Sequence, residues 1–221
     1  MASLEKLSIP ERVKKIEKIL RILAILYKRE FSALRRYTKS DQILSKEVEE
    51  LPEIQEIYKG FLEGQILRFK RVSKLLRIYG NKHPVFPFFT SLGIPEDIAG
   101  YLLGRIPARE FDYGYSLIKY CGWAKKSVYK NPHGFDRFLK YILWVVSDYL
   151  IDNRTRYYDD YIYFKMLGRK CGKDEATVAR LSKIFVIQKF LCDYLAYYHR
   201  TFGSDITKAY VFVFGRRVYA K

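Results

Sequence analysis

The strongest constraint on the fold is a run of apolar residues at helical steps near the start of the chain. Val13, Ile16, Leu20, Leu23, Tyr27, Phe31 and Leu34 recur every three or four residues, with Lys and Arg between them. That spacing makes one face of a helix apolar and leaves the rest to water. Ser8-Ile9-Pro10-Glu11 supplies a start: Ser8 caps, Glu11 closes a capping box and Pro10 suits the first turn. The pattern predicts an amphipathic helix to about Tyr37, then a polar, acidic connector from Thr38 to Pro52. Ile54, Ile57, Tyr58, Phe61, Leu62, Phe69, Val72, Leu75, Leu76 and Tyr79 mark the stripe of a second long helix. Two such helices on a modest connector predict an antiparallel hairpin. Its stripes face each other, the following domain, or a second copy of the chain in a homodimer.

Gly80-Asn81-Lys82-His83-Pro84 ends the second helix, and Pro87 is expected to hold the next stretch extended or turned. Shorter helices follow, predicted over Glu96–Leu103, Tyr115–Cys121, Phe135–Ile151, Tyr157–Leu167 and Lys173–Tyr198. Ala209-Tyr-Val-Phe-Val-Phe214 is strand-like, Gly215 breaks it, and a short β-hairpin is one reading of the tail. The expected class is all-α in three parts: a helical hairpin or coiled-coil arm over 1–80, a helical domain over 81–202 and a basic tail over 203–221.

Charge directs the functional reading. The 221 residues carry 41 Lys and Arg against 24 Asp and Glu, a formal +17. Such a surplus concentrates polyanions, of which nucleic acid is the first candidate and an anionic membrane surface the main rival. A merely solvated basic surface is the plain alternative. Tyr (20) and Phe (15) serve a core or stack on bases. The most apolar run, Leu139 to Ile151, is too short to span a bilayer and contains Asp148. Met1 to Lys15 lacks the apolar core of a secretion signal, so a cytoplasmic location is expected. Cys121, Cys171 and Cys192 have no metal-ligand spacing with one another or with His83, His133 and His199, and read as free thiols. No cofactor motif is present, and no cofactor or metal is expected.

Phe89-Thr-Ser-Leu92-Gly93-Ile94-Pro95-Glu96-Asp97-Ile98-Ala99 resembles a helix-hairpin-helix, with Gly93 and Ile94 in the hairpin and Ala99, Leu102 and Leu103 on the second helix. In that motif backbone N–H groups hold a DNA phosphate without reading bases. Pro95 stands where the second glycine usually sits and brings no N–H. The order continues through Val72-Ser-Lys-Leu-Leu76 before the hairpin and Leu117-Ile118-Lys-Tyr-Cys-Gly122-Trp123 after it. Asp152-Asn153-Arg154-Thr-Arg156-Tyr157-Tyr158 and Gly168-Arg169-Lys170-Cys-Gly172-Lys173 then precede a final long helix. Over roughly residues 55 to 198 this is similar to the C-terminal domain of DEDD-type insertion-sequence transposases, the family of bridge recombinases and Piv-type invertases.

The resemblance implies DNA as the partner and a mobile-element ancestry. It also implies a RuvC-like acidic domain before the coiled coil, and no such pattern precedes residue 55. The family's nucleophilic serine maps onto Ser127, which lacks the following glycine and has no evident base nearby. The expected role is therefore a non-catalytic DNA-binding protein, with RNA as a further partner. The alternatives are a minimal recombinase or nuclease, and a structural protein that coats nucleic acid. Phosphate contacts are assigned to Lys125, Lys126, Lys130, Arg154, Arg156, Arg169, Lys170, Lys173, Arg216 and Arg217, with Lys221 also in the basic tail. Asp148, Asp152, Asp159 and Asp160 are the one acidic group of interest. They are expected to pair with Arg154 and Arg156 or to be solvated rather than to bind metal.

Overall fold

The computed structural model describes residues 8–48, 52–124, 136–203, 210–213 and 216–219, and the fold is all-α. The helices are α1 (Ile9–Val48), α2 (Pro52–Gly80), α3 (Phe86–Thr90), α4 (Glu96–Arg105), α5 (Gly114–Tyr120), α6 (Arg137–Asp152), α7 (Arg156–Lys170) and α8 (Glu175–Thr201). A 3-10 turn covers Ala108–Glu110, and β1 (Tyr210–Val213) pairs antiparallel with β2 (Arg216–Tyr219).

Two local expectations need correction. Helix α1 does not stop at Tyr37 but runs to Val48, through the stretch expected to be a connector. That stretch has neither Gly nor Pro before Pro52, and its Lys, Gln and Glu are good helix formers. Pro87 does not keep its surroundings extended: it sits in the first turn of α3, where its fixed φ suits a helix and its missing N–H costs nothing.

The chain divides into two compact units that do not follow sequence order. The first holds Met1–His83 together with Glu96–Arg105; the second holds Pro84–Pro95 and Ile106–Lys221. Helix α4 thus belongs with α1 and α2. The reason is steric. A Cβ on Gly100 would lie 2.5 Å from the carbonyl oxygen of Leu76 in α2. One on Gly104 would lie 2.3 Å from that of Leu20 in α1. Two glycines four apart share a face, so α4 lays its bare backbone against both long helices. Ile98 to Gly104 are all buried, and Tyr101 and Leu102 are fully so. Around them Tyr27 packs its ring 5.0 Å from that of Phe69 and 5.5 Å from that of Tyr101.

The α2 stripe also splits. Leu76 is buried and Leu62, Phe69, Val72 and Tyr79 are half-buried, while Ile57, Phe61 and Leu75 are exposed. Around the helix the two groups occupy adjoining sectors, so the apolar stripe is wider than the side of α2 that is packed.

In the second unit α8 is the central element, contacting α5, α6, α7 and the 3-10 turn. Phe88 and Phe89 of α3 insert rings against Phe190 and Tyr194 of α8. Helix α6 buries Leu139, Ile142, Leu143, Val146 and Leu150. Helix α7 approaches α8 where Gly168 meets Val178, with a Cβ placed 2.9 Å from the valine methyl. Capping is regular: Asp136, Thr155 and Asp174 each accept a backbone N–H in the first turn of α6, α7 and α8.

Candidate nucleic-acid interface

The outer face of α1 is strongly charged, and this arises from how the helix is anchored. Val13, Ile16, Leu20, Leu23, Ala24 and Tyr27 are buried. Between Lys14 and Arg36 every exposed residue of α1 is a cation or an isoleucine: Lys14, Lys15, Lys18, Arg21, Lys28, Arg29, Arg35 and Arg36, with Ile22 and Ile25. No carboxylate shares that exposed set. The two that this stretch contains, Glu17 and Glu30, are turned toward the packed side. Glu17 Oε1 lies 3.7 Å from Nε2 of buried His83. Glu30 accepts a 2.6 Å hydrogen bond from Gln65 Nε2 and sits 3.5 Å from Arg68 Nε. Contacts with α2 and with His83 just after it therefore take up the two carboxylates between Lys14 and Arg36, and the exposed cations of that stretch extend along about 33 Å, at 1.5 Å per residue.

The Lys and Arg of α1 stand between its apolar positions in the sequence, yet none was among the expected phosphate contacts. The signal was present in the spacing. What it lacked was the position of Glu17 and Glu30 relative to the partner helix.

The cations nominated in the second unit fare unequally. Arg156 forms a 3.0 Å ion pair with Asp193, and its guanidinium also donates to the Tyr157 hydroxyl at 2.9 Å. Tyr157 donates in turn to Asp193 at 2.9 Å. Burial pushes the Asp193 carboxyl above its ordinary range, although Arg156 and Tyr157 favour its ionised form. Arg169 makes a two-pronged contact to Glu175, at 2.9 and 2.7 Å, and Lys165 joins at 3.0 Å. These bonds hold Glu175 down at about 2. Both arginines are thus engaged in tying α7 to α8 or to the start of α8.

Arg154, Lys170 and Lys173 are exposed. Arg154 lies over the Tyr158 ring at 5.8 Å. It precedes α7, whereas Lys170 and Lys173 follow or end it, so the 15-residue helix separates them by about 22 Å. They form no single cluster. Arg216 and Arg217 lie in β2. Lys125, Lys126, Ser127, Lys130 and Lys221 lie outside the described residues.

The hairpin residues are used internally. Gly93 has φ +73°, its N–H donates to Thr90 O at 3.0 Å, and the Ile94 N–H donates to Phe89 O at 3.3 Å. This is a Schellman stop, with buried Ile94 packing at the end of α3. The Asn153 side-chain amide donates to Gly93 O at 3.4 Å. The two amides that a phosphate would need are already donated to α3. Asp97, in the first turn of α4, accepts from the Tyr27 hydroxyl at 3.5 Å.

The acidic group does not converge. Asp148 pairs with Lys183 and Asp160 with Lys189, both lysines on α8 rather than the expected Arg154 and Arg156. Among the described residues no set of three His, Cys, Asp or Glu is placed to hold a metal ion. Cys121 and Cys192 are buried, and burial raises the Cys192 thiol to about 12, away from reactivity. No described helix is long and apolar enough to cross a membrane. No protein-family model, curated protein or solved structure matches the chain.

Proposed function

We propose that this protein binds nucleic acid through phosphate contacts, with duplex DNA as the preferred form, and that it acts as a binder rather than as an enzyme. The observation that carries the reading is the row of eight exposed cations on α1 between Lys14 and Arg36. A row of cations that length matches about one turn of B-DNA, whose major groove admits an α-helix. The A-form groove of RNA is too narrow to be entered in that way. Neutralising phosphates releases condensed counterions, so the affinity comes with a steep salt dependence and no base readout. Arg154, Lys170 and Lys173 are exposed cations of the second unit and suit phosphate contacts in their own right.

An anionic membrane is the weaker partner on physical grounds. An interfacial helix must bury an apolar face in lipid, but between Lys14 and Arg36 the apolar face of α1 is spent within the fold, with Ile22 and Ile25 its exposed large apolar residues. A mobile-element ancestry belongs to the same proposal. It rests on the order of sequence elements from Val72 to the final long helix.

The test is binding of fluorescent duplex DNA, single-stranded DNA, duplex RNA and anionic vesicles across a salt series. Tightest binding to duplex DNA, with a steep negative salt slope, is expected. No binding to any nucleic acid near physiological salt, or tighter binding to vesicles, overturns the proposal.

A further inference from the structure

The outward side of α2 carries a run of apolar residues, with exposed Arg68 and Arg71 among them, that no described part of the chain covers. Ile57 is 62% exposed, Phe61 60% and Leu67 50%, with Leu75 and Ile78 at 40% and 42%. Such a concentration on one helix is unusual for a surface in contact with water only. Gly60 and Gly64 lie on the same side. A Cβ on Gly60 would meet nothing within 4 Å, and one on Gly64 only the Arg68 guanidinium at 3.9 Å. The fold of one chain therefore does not require either glycine, in contrast to Gly100 and Gly104.

The charges beside this face point to what covers it. Glu56, Glu63, Lys70 and Arg77 recur every seven residues along one flank, all exposed, in the order acid, acid, base, base. None is held by an ion pair within the described residues. An antiparallel two-fold contact sets the same flank of two copies side by side. Run antiparallel, the acidic half of one helix meets the basic half of the other at both ends. Run parallel, this flank faces the other flank of the partner helix, and the match of acid to base is lost.

We propose that this face of α2 is a homodimer interface, in which two copies of the chain pair antiparallel through Ile57, Phe61, Leu67, Leu75 and Ile78. The glycines allow the two backbones to approach closely, and the flanking charges select the orientation. The interface is separate from the α1 face and does not rest on DNA binding.

The experiment measures the molar mass of the full chain by sedimentation over a concentration series without DNA. A dimer is expected. Glu56→Lys with Glu63→Lys makes the flank wholly basic, and Lys70→Glu with Arg77→Glu makes it wholly acidic. Each double variant should dissociate at least tenfold more readily, and circular dichroism checks that the helices persist. The fourfold variant that exchanges the halves should dimerise like the parent. A monomer at every concentration overturns the proposal, as does a dimer indifferent to both double reversals. Failure of the fourfold variant to recover overturns the antiparallel arrangement.

Discussion

The backbone carbonyl of Leu20 lies where any side chain on Gly104 would have to go, with a Cβ placed only 2.3 Å from its oxygen. This contact and its counterpart between Gly100 and Leu76 fix α4 in the first unit. Gly104→Ala gains roughly 1 kcal/mol of helix propensity. The forced separation of two backbones should outweigh it, for a net loss of about 2 kcal/mol. Denaturant unfolding of the full chain measures it, and an unchanged midpoint contradicts the close approach.

Arg154 occupies a position that glycine holds elsewhere. Gly93, Gly122 and Gly172 end α3, α5 and α7 at φ +73°, +77° and +69°, and Arg154 ends α6 at φ +47°. Its N–H donates to Ile151 O at 3.0 Å and that of Thr155 to Leu150 O at 3.2 Å, the same stop motif. A side chain in the left-handed region costs about 1 kcal/mol. Arg154→Gly should therefore raise stability by roughly that amount, and should weaken DNA binding if the guanidinium contacts phosphate. Thermal unfolding and DNA titration of one variant separate the two effects.

Tyr157 joins Arg156 and Asp193 into one hydrogen-bonded group, with its own ring fully buried. Tyr157→Phe keeps the ring and removes the donor to a largely buried carboxylate. A loss of about 1–3 kcal/mol is expected, because Asp193 has lost a partner that water does not readily replace. Tyr157→Phe as stable as the parent in denaturant would show that the group contributes little.

Glu175 gives the stability a defined pH signature. Its carboxyl falls from an ordinary 4.5 to about 2 beside Arg169 and Lys165. The folded state thus favours the charged form, so its contribution is complete above about 4.5 and is lost as pH falls toward 2. Melting temperatures of the parent and Glu175→Gln should converge as the pH is lowered through that window. A constant difference across it would contradict the assignment.

On α1, Lys14→Ala, Lys18→Ala and Arg29→Ala together should remove about three phosphate contacts. The slope of log affinity against log salt for duplex DNA should become shallower by about 3, at roughly 0.9 per contact. An unchanged slope places the contacts elsewhere on the chain. Because all three residues are exposed, the melting temperature should hardly move.

Much of the helical framework was legible from local signals. Ser8 and Glu11 marked the start of α1, and Ser8 N–H does donate to the Glu11 carboxylate at 3.1 Å. Gly80, Gly172 and Pro84 punctuated the later helices, because caps and breakers act within a few residues. The extension of α1 past Tyr37 was missed because the apolar stripe fades there while helix propensity does not. The site was less legible. Arg156 and Arg169 read as free cations because Asp193, 37 positions on from Arg156, and Glu175, after the Gly172 turn, reach them only through folding.

What the sequence alone determined is the all-α class, the two long amphipathic helices and the excess of positive charge. Periodicity, capping and composition are local or additive properties, and they need no knowledge of which helix meets which. Only the tertiary structure decided that α4 joins α1 and α2, that Glu17 and Glu30 are drawn inward, and that Arg156 and Arg169 are committed to carboxylates. Each depends on a contact between distant segments: glycine backbone on carbonyl oxygen, carboxylate on histidine or glutamine, guanidinium on carboxylate. The same charges that sum to +17 in the chain become a usable surface only where packing has removed their opposites.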